Sequence, residues 1–177
     1  MFRIQSTGFF RRKNRLVSPS ILEQVDFHKV ADRLGVTPFK ARKIGFVAAR
    51  TAQEPEVVQT CWDGKETTNT ARAGDWIVTN VTPDRKILRD RTDHANTYVI
   101  KAETFDSLYE RTTGANEFGQ LFKARNQVDA VYLSGGFDIL APWGQKQIAK
   151  AGYLLSSGHD VYGDNSNTFD ATYEVVH

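Results

Sequence analysis

A stretch of thirteen residues in this chain has a degenerate second copy. Tyr98-Val-Ile-Lys-Ala-Glu-Thr-Phe105-Asp106-Ser-Leu-Tyr109-Glu110 returns, without a gap, as Tyr162-Gly-Asp-Asn-Ser-Asn-Thr-Phe169-Asp170-Ala-Thr-Tyr173-Glu174, with six positions identical. Upstream the echo continues. Trp62-Asp-Gly64-Lys65 and Ala71-Arg-Ala-Gly74 are answered by Trp143-Gly144-Gln-Lys146 and Ala149-Lys-Ala-Gly152. Self-similarity of this kind is the mark of a duplicated structural unit, so the second half is constrained to fold as the first does. Function is then sought in what the copies share and in where they differ.

Phe105 and Tyr109, like Phe169 and Tyr173, lie four apart, which puts each pair on one face of a helical turn. Around them the chain favours Val, Ile, Thr, Tyr and Trp in short runs broken by Gly, Asn and Asp, the pattern of strands and tight turns. Val57 to Trp62 reads as a strand, Asp63-Gly64 as a hairpin turn, and Thr67 to Ala71 as the returning strand. The first 50 residues differ. They hold 11 Lys/Arg against 3 Asp/Glu, and the remainder holds 12 against 18. After Ser18-Pro19-Ser20, apolar residues recur at helical spacing as far as Gly35, and a second helix is expected after Thr37-Pro38.

The expected fold is therefore α+β: a basic helical segment (1–50) followed by two small β-rich modules (51–112 and 127–177) packed as one pseudo-symmetric domain. Arg111 to Asn126, with Gly114, Asn116 and Gly119, is the expected linker. A length of 177 residues with 40% hydrophobic and 11% aromatic residues suffices for such a core. No apolar run reaches the roughly 20 residues that a membrane-crossing helix needs. The single cysteine, Cys61, precludes an intramolecular disulfide and leads to an expected cytoplasmic location.

The sequence Ala73-Gly74-Asp75-Trp76-Ile-Val, followed by Tyr98-Val and by Phe105-x-x-x-Tyr109, resembles the PGDYG family of small bacterial and phage proteins. Alanine and tryptophan stand at Ala73 and Trp76 where that pattern has proline and tyrosine, and the second copy, Ala151-Gly152-Tyr153, lacks the aspartate. The likeness spans about Val57 to Val176. It implies a fold and no assigned activity.

Three functional readings follow. The first is a non-enzymatic ligand-binding or accessory protein whose small-molecule ligand sits in a cleft between the copies, against Trp62, Trp76, Tyr98, Trp143 and Tyr162. The second is a nucleic-acid-binding regulator, because residues 30–44 have the Ala, turn Gly and capping Thr of a helix-turn-helix and place Lys40, Arg42 and Lys43 on its recognition helix. The third is a small hydrolase or transferase using His94 with Asp75 or Asp106. No Gly-rich nucleotide loop, nucleophile elbow or metal-ligand spacing occurs, so no cofactor is identified and no metal is expected. The oligomeric state is left open. Asp75 and the charged insertion from Val81 to Asn96 belong to the first copy alone, which makes that copy the expected seat of activity.

Overall fold

The computed structural model describes residues 16–17, 25–62, 65–141, 146–158 and 160–177. Its elements are β1 (Leu16–Val17), α1 (Phe27–Leu34), β2 (Phe39–Lys43), β3 (Phe46–Thr51), β4 (Glu56–Trp62), β5 (Lys65–Ala71), β6 (Trp76–Val81) and β7 (Thr97–Ile100). There follow α2 (Ala102–Leu108), β8 (Tyr109–Asn116), β9 (Gly119–Ala124), β10 (Gln127–Leu133), β11 (Phe137–Leu140), β12 (Lys146–Ala149), β13 (Gly152–Ser156), β14 (Val161–Asn165), α3 (Ser166–Thr172) and β15 (Tyr173–Val176). Among the described residues strand outweighs helix, 55% to 15%, and the helices are three short ones, so this is a β architecture rather than the expected helical segment plus α+β modules.

Two five-stranded sheets carry the architecture, ordered β7-β6-β3-β9-β8 and β14-β13-β10-β2-β15. Matched position by position, β3 to β9 run as β10 to β15 do, except that the place of β9 in the second sheet is filled by β2. The second module ends one strand short, between β10 and β15, and the chain ahead of the first module supplies it. This slot explains why the expected second helix is absent. Along β2, Ala41 is fully buried between its two neighbour strands while Lys40 and Arg42 face solvent, a period of two that the sheet imposes over the helical spacing of Ala41, Ile44 and Val47. Gly45 (φ +75) then turns the chain into β3, where a Cβ would lie 2.4 Å from Val81 O.

The helix-turn-helix is overturned by the same observation. Its first half is α1, capped by Asp26, which accepts from the Lys29 backbone N–H at 3.0 Å, and ended by Gly35 in the left-handed conformation. Phe27 and Ala31 bury against Val131, Leu133 and Leu154 of the second module. Its second half is the strand β2, inside the sheet between β10 and β15. The expected start at Ser18-Pro19-Ser20 lies outside the described residues.

The expected linker is also a correction: β8 and β9 form a hairpin, with an irregular register between Arg111 and Ala115. Its edge strand is polar and largely exposed, so its sequence carries no alternation to betray it. Only Arg125 and Asn126 join the modules on that side. The two crossings are equivalent, with Ile44 N bonded to Thr172 O (2.8 Å) and Arg125 N to Leu108 O (2.9 Å).

Each module has the same aromatic stack at its centre. Phe105 lies 4.0 Å from Trp76 and 5.2 Å from Tyr109, and Phe169 lies 3.7 Å from Tyr153 and 5.0 Å from Tyr173. Trp76 therefore corresponds to Tyr153, and Asp75 to Gly152, one residue away from the match that pairs the turn glycines. The cross-strand registers agree, since Trp76 faces Ile100 as Tyr153 faces Asp164.

This correspondence explains why Asp75 belongs to one copy. In the second module Asn165 caps α3, its side chain accepting from Thr168 N at 3.0 Å. The equivalent residue in the first module is Lys101, which cannot accept. Asp75 takes over, accepting from Ala102 N (3.3 Å), Arg72 N (2.8 Å) and Lys101 Nζ (3.0 Å). Burial works to raise its pKa, but the Arg72 and Ala102 amides and the Lys101 ammonium outweigh it and hold the carboxyl below its usual range. Gly152 leaves no room for a side chain, since a Cβ there would meet Asp164 O at 2.3 Å. Asp75→Ala is expected to cost about 1–3 kcal/mol in urea unfolding, because it leaves the Arg72 amide and the half-buried Lys101 ammonium without their acceptor and uncaps α2. Asp75→Gly combined with Lys101→Asn, the pairing used by the second module, is expected to cost less than the sum of the two single changes. Strict additivity would refute the exchange.

Candidate functional site: a cavity on the pseudo-twofold axis

Between the modules lies a cavity of about 660 Å³. Its walls come from equivalent positions of the two copies. Tyr98 and Tyr162, on β7 and β14, face it with Tyr109 and Tyr173, which begin β8 and β15. Asn80 and Asn96 at one rim correspond to Ser157 and Asp160 at the other, where the bonds Asn80 N to Asn96 O and Ser157 N to Asp160 O are each 3.0 Å. Asn69 and Gln147 each stand two residues before the alanine that ends a hairpin strand, Ala71 and Ala149. The cavity thus lies on the pseudo-twofold axis and is built by the repeat itself.

At the axis the hydroxyls of Tyr98 and Tyr109 are 3.4 Å apart, and those of Tyr162 and Tyr173 are 3.4 Å apart. Lys43, the last residue of β2, reaches into this group. Its Nζ donates to Tyr98 Oη at 3.1 Å and stands 5.5, 5.9 and 5.6 Å from the ring centroids of Tyr98, Tyr109 and Tyr173. Tyr98 Oη in turn donates to Asn80 Oδ1 at 3.3 Å. Burial, and for Tyr98 the neighbouring Tyr109, pushes the Tyr98 and Tyr162 phenols above their ordinary range, and Tyr173 is raised by burial and by Tyr162.

Asp164 is the second charged group of this interior. Burial pushes its carboxyl up to about 7, against the lowering effects of the Lys43 charge and the Asn165 backbone N–H, with Asp170 adding to the rise. Both Lys43 and Asp164 break the repeat. Register puts Ala124 where Lys43 would be, opposite Tyr109 as Lys43 is opposite Tyr173, and Ile100 where Asp164 would be. Among the described residues, two further hydroxyls in the walls, Thr60 Oγ1 and Ser166 Oγ, are buried without a hydrogen-bond partner.

Of the residues expected to hold a ligand, Tyr98 and Tyr162 line this cavity. Trp76 does not: it is stacked on Phe105 and edge-on to Phe122 in the core of its module. Trp143 and the Trp62 side chain lie outside the described residues. The three cations assigned to nucleic acid are dispersed. Lys40 pairs with Asp129 at 2.8 Å, Arg42 with Glu174, and Lys43 turns into the cavity. Two of these three cations thus meet acids of the second module.

The proposed catalytic set does not assemble. His94 sits exposed in the insertion, its Nδ1 2.7 Å from Thr92 Oγ1 and 3.8 Å from Asp90 Oδ1. Asp75 is committed to Lys101 and α2, and Asp106 lies exposed on α2. Asp75, one of the two features that made the first copy the expected seat of activity, serves folding, and the cavity is lined from both copies. Lys43 appeared only as a nucleic-acid contact, and Asp164 was missed. One signal was available for the latter: an aspartate at a strand position where the other copy has isoleucine.

Among the described residues no group of three or more His, Cys, Asp and Glu is arranged to hold a metal ion, and no helix is long and apolar enough to cross a membrane. No protein-family model matches the chain, and comparisons with curated proteins and with solved structures likewise return no match.

Proposed function

We propose that this protein is a small-molecule-binding protein, PGDYG-like in its Gly74-Asp75 turn and Phe-x-x-x-Tyr pair, whose ligand occupies the cavity between the two copies. The observation that carries the reading is that a cavity of about 660 Å³ is lined, at several pairs of equivalent positions, by hydrogen-bonding side chains of both modules. Ligand sites commonly occupy about 300–1,000 Å³ and combine apolar surface with a few convergent polar groups. Here Val99, Ile100 and Leu108 supply the first, and the tyrosines, Asn80 and Asn96 the second. An interior position filled by packing alone has no use for such groups, whose burial costs free energy unless they are matched.

The test is a thermal-shift screen of a chemically diverse library against the wild-type chain and against Ile100→Trp, which adds an indole to the cavity wall. Compounds binding at 100 times their Kd stabilise the folded state by about 2.7 kcal/mol, which raises Tm by several degrees for a chain of this size. The expected outcome is a set of compounds that raise the wild-type Tm and leave that of Ile100→Trp unmoved. Equal shifts in both proteins would move the site elsewhere.

A further inference from the structure

We infer that the ligand of this cavity carries an anionic oxygen, of a carboxylate or a phosphate, that seats on the Lys43 ammonium and the phenolic hydroxyls around the pseudo-twofold axis. This rests on the reading of the cavity as a binding site and adds the chemical class of what enters it.

The first argument is hydrogen-bond capacity. A lysine ammonium has three donors. Lys43 uses one, to Tyr98, and is otherwise held by the faces of three tyrosine rings. It has no carboxylate ion pair among the described residues, whereas Lys40, Lys86, Lys101 and Lys146 each have one. Cation–π contacts hold the charge in place without consuming its donors, so the ammonium is preorganised to take an acceptor.

The second argument is the hydroxyls. Each tyrosine pair is joined by one O–H···O contact, which uses one of its two protons. The proton of Tyr98 also has Asn80 as an acceptor. In the Tyr162–Tyr173 contact either hydroxyl can be the donor, which lets Tyr173 turn its own proton toward the cavity. Burial pushes the Tyr98, Tyr162 and Tyr173 phenols upward, so they keep their protons throughout the neutral range. A positive charge ringed by O–H donors is complementary to an anionic oxygen. It is not complementary to an ammonium ligand, because Lys43 already occupies the aromatic enclosure.

The third argument is the broken symmetry. A symmetric cavity would accept its ligand in two orientations. Lys43 and Asp164 stand in the second sheet alone, opposite Ala124 and Ile100 of the first, so the two sides of the axis differ in charge and favour one orientation. Asp164 is also the group that links binding to pH. Facing it are Lys43 from β2, Tyr98 from β7, Tyr162 on its own strand, Tyr173 from β15 and Asp170 from α3, with Tyr153 its cross-strand partner on β13. Lys43 is the one cation in this set. An anion seated there favours the protonated carboxyl, so binding above neutrality takes up a proton.

The test is calorimetric titration of the full chain with phenylacetate, phenyl phosphate and the uncharged phenylacetamide, at pH 6 to 9. One or both anions are expected to bind at least tenfold more tightly than the amide, and which of them does identifies the class. Lys43→Met and, independently, Lys43→Gln are expected to remove that preference, and Lys43→Arg to retain it. The anion's affinity is expected to fall up to tenfold per pH unit above about 7 in the wild type and to be flat in Asp164→Asn. Equal affinity for acid and amide, or a preference that survives both neutral Lys43 variants, overturns the proposal. So does the absence of anion binding in a protein for which the library screen gives Ile100→Trp-sensitive hits, an outcome that leaves the cavity reading in place. Binding that ignores Ile100→Trp removes the cavity reading itself.

Discussion

Replacing Phe105 by alanine is expected to cost about 3–5 kcal/mol, and replacing Phe169 by alanine about the same. Both rings are buried, and each is sandwiched between two aromatic neighbours: Phe105 by Trp76 and Tyr109, with Phe122 edge-on at 4.9 Å, and Phe169 by Tyr153 and Tyr173, with Phe39 edge-on at 6.3 Å. Truncation removes the buried area of a phenyl ring and leaves a void between two aromatic faces that the backbone cannot close, because each stack is fastened at both ends to strands. Each ring also anchors a helix of seven residues, too short to persist without its packed face. Urea unfolding of the two variants measures the cost. Losses below about 1 kcal/mol in both would mean that the stack is not the centre of the module. A large loss in only one would mean that the two copies do not share a packing plan.

The second large effect is a fall in stability with rising pH, removed by Asp164→Asn. The Asp164 carboxyl goes from an ordinary value of 3.8 in the unfolded chain to about 7 in the folded protein. Between those values the folded protein holds a proton that the unfolded chain has released, so its contribution is greatest below pH 4 and is lost as the pH rises through 7. At about 1.4 kcal/mol per unit, the whole window amounts to at most about 4.5 kcal/mol. Asp26, Glu56, Asp75 and Asp84 act with the opposite sign. Each is held below its ordinary value, so each stabilises at neutrality and loses that contribution as the pH falls through its folded value. The observable is therefore the difference between wild type and Asp164→Asn. The variant is expected to be the more stable at pH 8, with the gap closing by pH 4. A gap that is independent of pH would place Asp164 in contact with bulk water.

The local units were legible because their signals are local. The four-residue Phe–Tyr spacing marks α2 and α3, which span 102–108 and 166–172, and the runs around Asp63-Gly64 mark the β4–β5 hairpin. What escaped is non-local. Nothing in Phe39-Lys-Ala-Arg-Lys43 announces that a strand slot stands open in the second module, more than eighty residues later in the chain. The β8–β9 hairpin was hidden for another reason, since an exposed edge strand of Thr, Gly and Asn has the composition of a loop. Matching the two turn glycines displaced the copies by one residue there. It concealed both the exchange of Asp75–Lys101 for Gly152–Asn165 and the role of Trp76 in the stack. The site depends on the same long-range pairing. Tyr98 and Tyr162 were readable as repeated aromatics, but Lys43 joins them only once β2 is known to lie beside β15.

The central claim is that one ligand is held by both copies at their shared axis, and its most direct test is an NMR titration of the labelled chain with the tightest binder from the screen. The expected result is a set of saturable shifts at paired positions of both modules, Tyr98 with Tyr162, Tyr109 with Tyr173, and Asn69 with Gln147, together with Lys43. Shifts confined to one module, or to the outer faces of the sheets with these pairs unmoved, would contradict it.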